Sequence, residues 1–140
     1  DVVCAGSTGW PTPLADASAT VTFLCLDPIA YGAENSSAGD AFEVGGTWPT
    51  RPVVEMTARA GSGASVACAA TGERVELAHT LAAGDLVRID CAAQTVAVNG
   101  ADATADVTLG SDFPSLAPGR VALAFSGCSS HLVLWRERWA

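Results

Sequence analysis

Short stretches of alternating apolar and polar side chains, each ended by turn-forming residues, constrain the fold of this sequence more than any other feature. In an extended strand every second side chain lies on the same face, so a period of two indicates a strand with one apolar face. Residues 84–102 show this pattern twice, and the apolar side chains that share a face are Val87, Ile89 and Cys91, then Val96 and Val98. Asn99-Gly100 ends the second stretch, because both residues tolerate a positive φ. The segment predicts two adjacent strands that serve as scaffold.

The same alternation predicts eight short strands along the chain. Their expected ranges are 19–26, 52–59, 64–70, 73–78, 86–91, 95–99, 120–126 and 130–139. Short connections favour antiparallel pairing, and strands with one apolar face each require two sheets that pack face to face. We therefore expect an all-β chain, an antiparallel β-sandwich, in which helix is limited to single turns at 78–83 and 108–116.

Length and charge restrict the classes of partner. A chain of 140 residues is long enough for one domain with a true core, which hides about two thirds of the surface of the unfolded chain. The net charge is −8, lysine is absent and the seven arginines are scattered, so a nucleic acid backbone finds no basic cluster in the sequence. No apolar run approaches the ~18 residues of a membrane span. We expect neither nucleic acid binding nor membrane insertion.

The cysteines indicate free thiols. Five are present, at Cys4, Cys25, Cys68, Cys91 and Cys128, so they cannot all pair, and none has the C-x-x-C spacing of metal and redox motifs. Cys68 and Cys91 fall in predicted strands, where cysteine packs as a small apolar residue. Buried free thiols favour assembly in a reducing cytoplasm.

No group of residues forms a recognised catalytic motif. Gly6-Ser7-Thr8-Gly9 and Gly61-Ser62-Gly63 lack both the full G-x-S-x-G pattern and a helix after it, so we interpret them as turns. His79 and His131 could act as bases beside Asp85, Asp90 or Asp112. With so few candidates, however, a catalytic triad or a metal cluster cannot be distinguished from a chance arrangement. A solvated loop position for His79 and a surface or hydrogen-bonded position for His131 are favoured. The sequence predicts no catalytic residue and no enzyme activity.

Two further patterns have simple interpretations. Asp102, Asp106 and Asp112 share a loop region, but their spacing does not match a calcium-binding loop, so we expect solvated acids, no metal and no cofactor. Asn35-Ser36-Ser37 matches the N-glycosylation acceptor pattern, which we interpret as accidental because no secretion signal precedes it. Together with Ala38-Gly39-Asp40, this stretch predicts a flexible polar hinge after the first strand.

The tryptophans are the candidate contact residues. Sugar-binding sandwiches place flat aromatic rings against the apolar face of a pyranose, although packing in the core or at its rim is the more common role of tryptophan. Of Trp10, Trp48, Trp135 and Trp139, Trp48 is the one that we expect to be exposed, because it lies in the loop Gly45-Gly46-Thr47-Trp48-Pro49 and recognition residues concentrate in loops. Trp10 and Trp48 are the candidates for contact with a partner protein or a glycan.

The order of several segments resembles a known family. They are "VTFLCLDPIAYG" (21–32), "GTWPTRPVVEM" (46–56), "LAAGDLVRIDCAAQTVAVNGAD" (81–102), "GSDFPSLAPGRVALAFSG" (110–127) and "WRERWA" (135–140). Together they resemble the C-terminal part of the distal tail protein (Dit) of siphophages, in the siphovirus tail component family. The resemblance covers most of the chain.

The resemblance implies a galectin-like, jelly-roll-like or carbohydrate-module-like sandwich on the outside of a phage or prophage tail tip. Residues 1–33 would be the trailing segment of a missing ring-forming domain, or an added strand with a linker, and residues 34–140 would be the sandwich domain. The full-length family member would be a hexameric ring of the virion baseplate, assembled in the bacterial host cytoplasm. The expected function is a non-catalytic structural adaptor whose partners are other tail and baseplate proteins.

Two alternatives accompany this expectation. The first is a carbohydrate-binding module that contacts host cell-wall polysaccharide. The second concerns oligomeric state: if residues 1–32 belong to a missing domain, strand 19–26 has lost its partner strands, and its edge with Phe23 and Leu24 would favour dimerisation. The fragment is therefore expected to be a monomer or a dimer.

Overall fold

The structure is a computed structural model that describes Val2–Cys4, residues 20–25 and residues 27–140. It divides into two compact units, Asp1–Ala30 and Tyr31–Ala140. In the first unit, β1 (Val2–Cys4) pairs antiparallel with β2 (Phe23–Cys25). β2 lies within the predicted strand 19–26, and its pairing with β1 shows that the expectation of a strand without a partner was wrong.

The second unit contains two β-sheets. Its strands in chain order are β3 (Ala30–Ser37), β4 (Ala41–Val44), β5 (Val53–Ala58), β6 (Ala64–Cys68), β7 (Arg74–Leu77), β8 (Leu86–Asp90), β9 (Thr95–Val98), β10 (Ala101–Asp102), β11 (Gly119–Ser126) and β12 (Cys128–Trp139). The larger sheet has the order β10-β9-β8-β5-β12-β3, and the smaller sheet has the order β4-β11-β6-β7. β12 pairs antiparallel with β5 and lies between β5 and β3.

One core joins the two sheets. The larger sheet contributes side chains such as Val54, Met56 and Val133, and the smaller sheet contributes Val66 and Leu123. Burial alternates along the strands, as in β5 and β6, because every second side chain of a strand faces the other sheet. The prediction of an all-β antiparallel sandwich is confirmed.

The segment at 84–102 forms the predicted pair of strands. Val87, Ile89 and Cys91 are buried with Val96 and Val98, and Val87 and Ile89 lie opposite Val98 and Val96 in the register. The turn at Asn99-Gly100 has positive φ at both residues. The Asn99 side chain fixes this turn, since its Oδ1 accepts the Leu86 N–H and its Nδ2 donates to Asp85. The proposed scaffold role of this segment fits these contacts.

Several strands of the structure do not show an apolar period of two in the sequence. The two sheets contain ten strands, of which seven match predicted ranges, and the three additional ones are β3, β4 and β10. The prediction of a hinge at Asn35-Ser36-Ser37 was wrong, because these residues complete β3 at the edge of the larger sheet. Helical turns at 78–83 and 108–116 were also wrong, and the one 3-10 turn among the described residues spans Thr104–Asp106.

The last strand has two different faces. Val133 and Trp135 are buried, whereas Arg136 is exposed. The Trp135 ring stacks on Phe42, with 4.5 Å between the ring centroids. β12 thus has a core face and an outer face, and it presents its arginines on the outer face of the larger sheet.

Candidate functional site

The loop that carries Trp48 is fixed to the last strand. The backbone N–H groups of Thr47 and Trp48 both donate to the Arg138 carbonyl, at 2.9 and 3.0 Å. The Thr47 hydroxyl accepts the Ala140 N–H at 3.1 Å. These bonds hold the loop backbone, while the Trp48 side chain remains 49% exposed. A large aromatic ring is therefore exposed on a loop whose backbone is fixed by hydrogen bonds.

Two glycines lie at this close approach. A Cβ atom on Gly46 would lie 2.3 Å from the Arg138 carbonyl oxygen, and Gly46 has a φ of +94°. A Cβ atom on Gly45 would lie 2.4 Å from the Glu137 Oε1. A side chain at position 46 would displace the loop from β12 or force β12 to move, whereas one at position 45 would meet only the end of the flexible Glu137 side chain. Gly46 therefore sets the position of the loop that carries Trp48.

Arg138 connects the Trp48 loop to the first strand of the larger sheet. An antiparallel bridge places Trp48 opposite Arg138, whose Nη1 donates to the Pro49 carbonyl at 3.0 Å. The Arg138 guanidinium carbon lies 5.5 Å from the centroid of the Tyr31 ring, within the range of a cation–π contact. Tyr31 is itself exposed. An arginine and two exposed aromatic side chains thus lie near one another at this end of the sandwich.

A groove of about 360 Å³ lies beside this cluster. It is called the arginine groove here, and its polar lining consists of Tyr31 and Glu34 on β3, Thr50 and Arg51 before β5, and Arg136 and Arg138 on β12. Val53 and Leu134, which are paired in the β5–β12 register, contribute apolar lining. The groove combines an apolar floor with guanidinium groups, as expected of a site that binds a ligand with both apolar and anionic parts.

The arginines of the groove carry uncompensated charge. Among the described residues, no carboxylate lies within ion-pair distance of Arg51, Arg136 or Arg138. Arg51 donates to the Cys91 carbonyl, and the Nε of Arg138 is buried without a hydrogen-bond partner in the described chain. With Glu34 as the acidic residue of the lining, the groove is locally positive, although the whole chain has a net charge of −8.

A second groove, of about 370 Å³, lies on the same face of the larger sheet. Its lining includes the exposed Leu86 and the half-buried Leu132. The Arg88 Nη1 in this groove lies 2.8 Å from the Glu55 Oε1, so the charge of this arginine is paired. The second groove is therefore close to neutral, unlike the arginine groove.

The predicted contact residues have different outcomes. Trp10 lies outside the described residues, and Trp48 is exposed as the loop composition predicted. Trp135 is in the core, whereas Trp139 is 39% exposed. The contact residues predicted from the sequence do not include Tyr31, Arg51, Arg136 or Arg138. The alternation of Arg136 and Arg138 with apolar residues in 130–139 was the available signal, because it places both arginines on one face.

The histidines do not pair with the acids considered from the sequence. The His79 Nδ1 lies 2.6 Å from Asp106 Oδ2, in a partly exposed pair. His131 stacks on Phe125, with ring centroids 3.7 Å apart, and its Nε2 lies 3.4 Å from Asp40 Oδ1. The expectation of a surface position for His131 was wrong, because its side chain is only 13% exposed. The partner acids are Asp106 and Asp40, where the sequence suggested Asp85, Asp90 or Asp112.

An acidic residue of the loop after β9 accepts hydrogen bonds that stabilise the local structure. The Asp102 carboxylate accepts the Thr104 backbone N–H and hydroxyl, and these bonds lower the pKa of Asp102 below its ordinary value. Within the described ranges, no group of three or more histidine, cysteine or acidic side chains is arranged to hold a metal ion. No helix in this part of the chain is long and apolar enough to span a membrane.

The fold is similar to that of a phage tail protein. The crystal structure of SPP1 Dit, described as a paradigm of the hub adsorption apparatus in phages that infect Gram-positive bacteria, superposes with a TM-score of 0.72 at 16% sequence identity. The match covers 86% of this chain and 52% of the SPP1 chain, so this chain spans about half the length of that protein. No curated protein matches the chain significantly.

The family follows from a sequence match over most of the chain. Residues 45–139 match the family described as "Siphovirus-type tail component, C-terminal domain". The matched range contains the Trp48 loop, the strands of both sheets from β5 onward and the arginines on β12. This chain therefore belongs to the siphovirus-type tail component family and is an all-β structural module of a phage tail.

Proposed function

We propose that the chain is the peripheral C-terminal module of a distal tail protein and acts as a non-catalytic adaptor at the virion tail tip. The observation that carries this proposal is the family match over residues 45–139. In this interpretation residues 1–33 are the trailing segment of a ring-forming domain, and the full-length protein is a hexameric ring that is assembled in the bacterial host cytoplasm. The partners are other tail and baseplate proteins.

The surface of the module supports an adaptor role. The Trp48 ring is displayed on a loop whose backbone is fixed by hydrogen bonds to Arg138. A loop backbone that is already ordered loses little conformational freedom when a partner binds, so more of the contact energy contributes to affinity. The exposed tryptophan, tyrosine and arginine side chains at this end of the sandwich are the residue types that dominate binding energy in protein interfaces.

Co-purification tests the adaptor function. The full-length protein, tagged and expressed with the other tail proteins of the same phage, is expected to recover at least one of them. Deletion of residues 31–140 is expected to remove that partner while the remaining ring still assembles, as measured by size-exclusion chromatography with light scattering. Recovery of the same partners without residues 31–140 would contradict the proposal.

Glycan binding is the second candidate function, and the exposed Trp48 side chain is the observation that favours it. If a host cell-wall polysaccharide stacks on this ring, titration is expected to shift the tryptophan fluorescence of the wild type and not that of Trp48→Leu. Trp135→Phe is the matched control, because Trp135 is buried in the core. An unchanged spectrum with all host polysaccharide fractions would remove this candidate.

A further inference from the structure

We propose that the arginine groove binds an extended, acidic polypeptide segment of a partner protein, with its carboxylates on Arg51, Arg136 and Arg138. The inference rests on the proposed adaptor function for the class of partner. It goes further by naming the site and the chemistry of the segment.

Charge placement indicates an anionic ligand. The chain has seven arginines and fifteen acidic residues, yet three of the arginines line one groove that contains a single acid, Glu34. Arg136 is exposed, and no described carboxylate neutralises it. A guanidinium group presents a planar set of donors that matches a carboxylate in bidentate geometry. The acidic remainder of the surface repels an anion, so an anionic segment finds its favourable site at this groove.

The apolar lining indicates that the ligand is more than a small anion. Val53 and Leu134 line the groove beside the arginines. The Tyr31 ring is already in contact with the Arg138 guanidinium. A volume of about 360 Å³ accommodates several side chains of a peptide. A segment in which acidic side chains alternate with small or apolar side chains would satisfy both the guanidinium groups and this lining.

The edge of the larger sheet favours a polypeptide over other polyanions. β3 contributes Tyr31 and Glu34 to the groove and is the terminal strand of the sheet. Within the described residues, no strand pairs with the outer edge of β3. Such an edge presents a row of backbone donors and acceptors that an extended peptide can pair with. A polysaccharide has no main chain of peptide groups at the spacing of a β-strand to pair with this row.

Fluorescence anisotropy with defined probes tests the inference. The first probe is a labelled decapeptide of alternating glutamate and threonine, and the second has glutamine in place of glutamate. At about 0.15 M salt, where long-range attraction is screened, the glutamate peptide is expected to bind at least tenfold more tightly than the glutamine peptide. Equal binding of the two peptides, or no binding of the glutamate peptide, would overturn the proposal.

Matched arginine variants locate the binding site. Arg136→Gln is expected to lower the affinity for the glutamate peptide by about tenfold, since a charge-assisted hydrogen bond is lost. Arg120→Gln is the control, because Arg120 is an exposed arginine on β11 of the other sheet. An equal loss for Arg120→Gln would show that binding follows total charge and would overturn the assignment to the groove. Polyphosphate binding as tight as that of the peptide would overturn the assignment of a polypeptide.

The tail proteins themselves separate this inference from the adaptor function. If the wild-type full-length protein recovers a tail partner and Arg136→Glu loses it, both proposals are supported. If Arg136→Glu recovers the partner as well as the wild type does, the groove inference fails while the adaptor function stands. If the wild type recovers no partner, the adaptor function fails whatever the peptide titration shows.

Discussion

At the scale of single residues, Gly46 decides where Trp48 is displayed. Gly46 and Gly84 both have a φ of +94°, but a Cβ atom on Gly84 would meet nothing within 4 Å, whereas one on Gly46 would overlap the Arg138 carbonyl. Alanine at either position costs about 1–2 kcal/mol for the left-handed backbone. Gly46→Ala is expected to cost a further ~1–3 kcal/mol for the overlap.

Urea unfolding of the two glycine variants measures this difference. Gly46→Ala is also expected to change the Trp48 fluorescence of the folded protein, because the loop must move away from β12. Gly84→Ala leaves that loop unchanged and serves as the control for backbone strain. Equal losses of stability would show that the close approach to Arg138 is unimportant.

Asp85 makes the stability of the folded protein depend on pH. Its carboxylate accepts hydrogen bonds from the Asn99 side chain at 2.9 Å and the Ala82 backbone N–H at 2.8 Å, and these bonds lower the pKa of Asp85 below its ordinary value of 3.8. A lowered pKa in the folded state contributes stability above pH 3.8, and this contribution is lost as the pH falls through the folded-state pKa. Asp85→Asn is expected to be less stable than the wild type at pH 7.

Thermal unfolding as a function of pH checks this prediction. The difference in Tm between the wild type and Asp85→Asn is expected to be largest at neutral pH. It should shrink as the pH falls below 3.8 towards the lower pKa of the folded state, because the carboxylate is protonated first in the unfolded chain. Glu34→Gln is a suitable control, because Glu34 is an exposed acid in a different part of the sheet. A difference in Tm that grows on acidification would contradict the sign of this argument.

At the scale of elements, β8 in the β8–β9 pair has one face in the core and the other on the surface. Ile89 is fully buried in β8, and its neighbour Arg88 is exposed and paired with Glu55. Ile89→Asp leaves an unpaired charge in the core and is expected to cost several kcal/mol, on the order of the ~5–15 kcal/mol that stabilises a domain. Arg88→Ala is expected to cost about 0–1 kcal/mol, because exposed ion pairs contribute little.

Chemical denaturation followed by circular dichroism compares these two variants. Val98→Asp should resemble Ile89→Asp, since Val98 is buried in β9 and its strand faces the same core. If Arg88→Ala destabilised the protein as much as Ile89→Asp, the assignment of the two faces of β8 would be wrong.

The elements that the sequence predicted are those whose burial alternates. β5, β6 and β8 alternate between buried and more exposed positions, so their apolar period of two is visible in the sequence. β3 has no fully buried side chain in its described pattern, and its composition of Gly, Asn and Ser imitates a loop. Its strand structure depends on pairing at the sheet edge, next to β12. A pattern based on one apolar face cannot detect such a strand.

At the scale of the whole molecule, the site was only partly predictable. Exposure of Trp48 followed from the glycines and proline of its loop. The arginine groove combines residues as far apart in the chain as Tyr31 and Arg138, and it exists because β12 lies between β5 and β3. Local sequence patterns contain no information about that strand order, so the groove required the structure.

Cysteine labelling tests whether the two sheets unfold together. Cys68 lies in the smaller sheet and Cys91 follows β8 in the larger sheet, and both are free and buried in the same core. Burial raises the pKa of Cys91 to about 12, so its thiolate is scarce at pH 8. We expect both thiols to be alkylated only when the sandwich opens, and at the same rate. Iodoacetamide labelling followed by mass spectrometry measures the two rates.

Cys128 is the internal reference for this labelling experiment. It is free but only half-buried, so it is expected to react faster than the two core thiols. A Cys68 rate far above the Cys91 rate would show that the smaller sheet opens by itself, which would contradict a single cooperative core.

The central position of β12 has a consequence for biosynthesis. Translation proceeds from the N-terminus, and β12 follows every other strand of the larger sheet in the chain. Until the ribosome has released β12, β5 has no neighbour on that side and β3 has no place in the sheet. The larger sheet of the nascent chain must therefore stay incompletely folded, and exposed to aggregation, until this region has been synthesised. Joining strands so distant in sequence also makes folding slow, because a long loop must close before the pairing is formed.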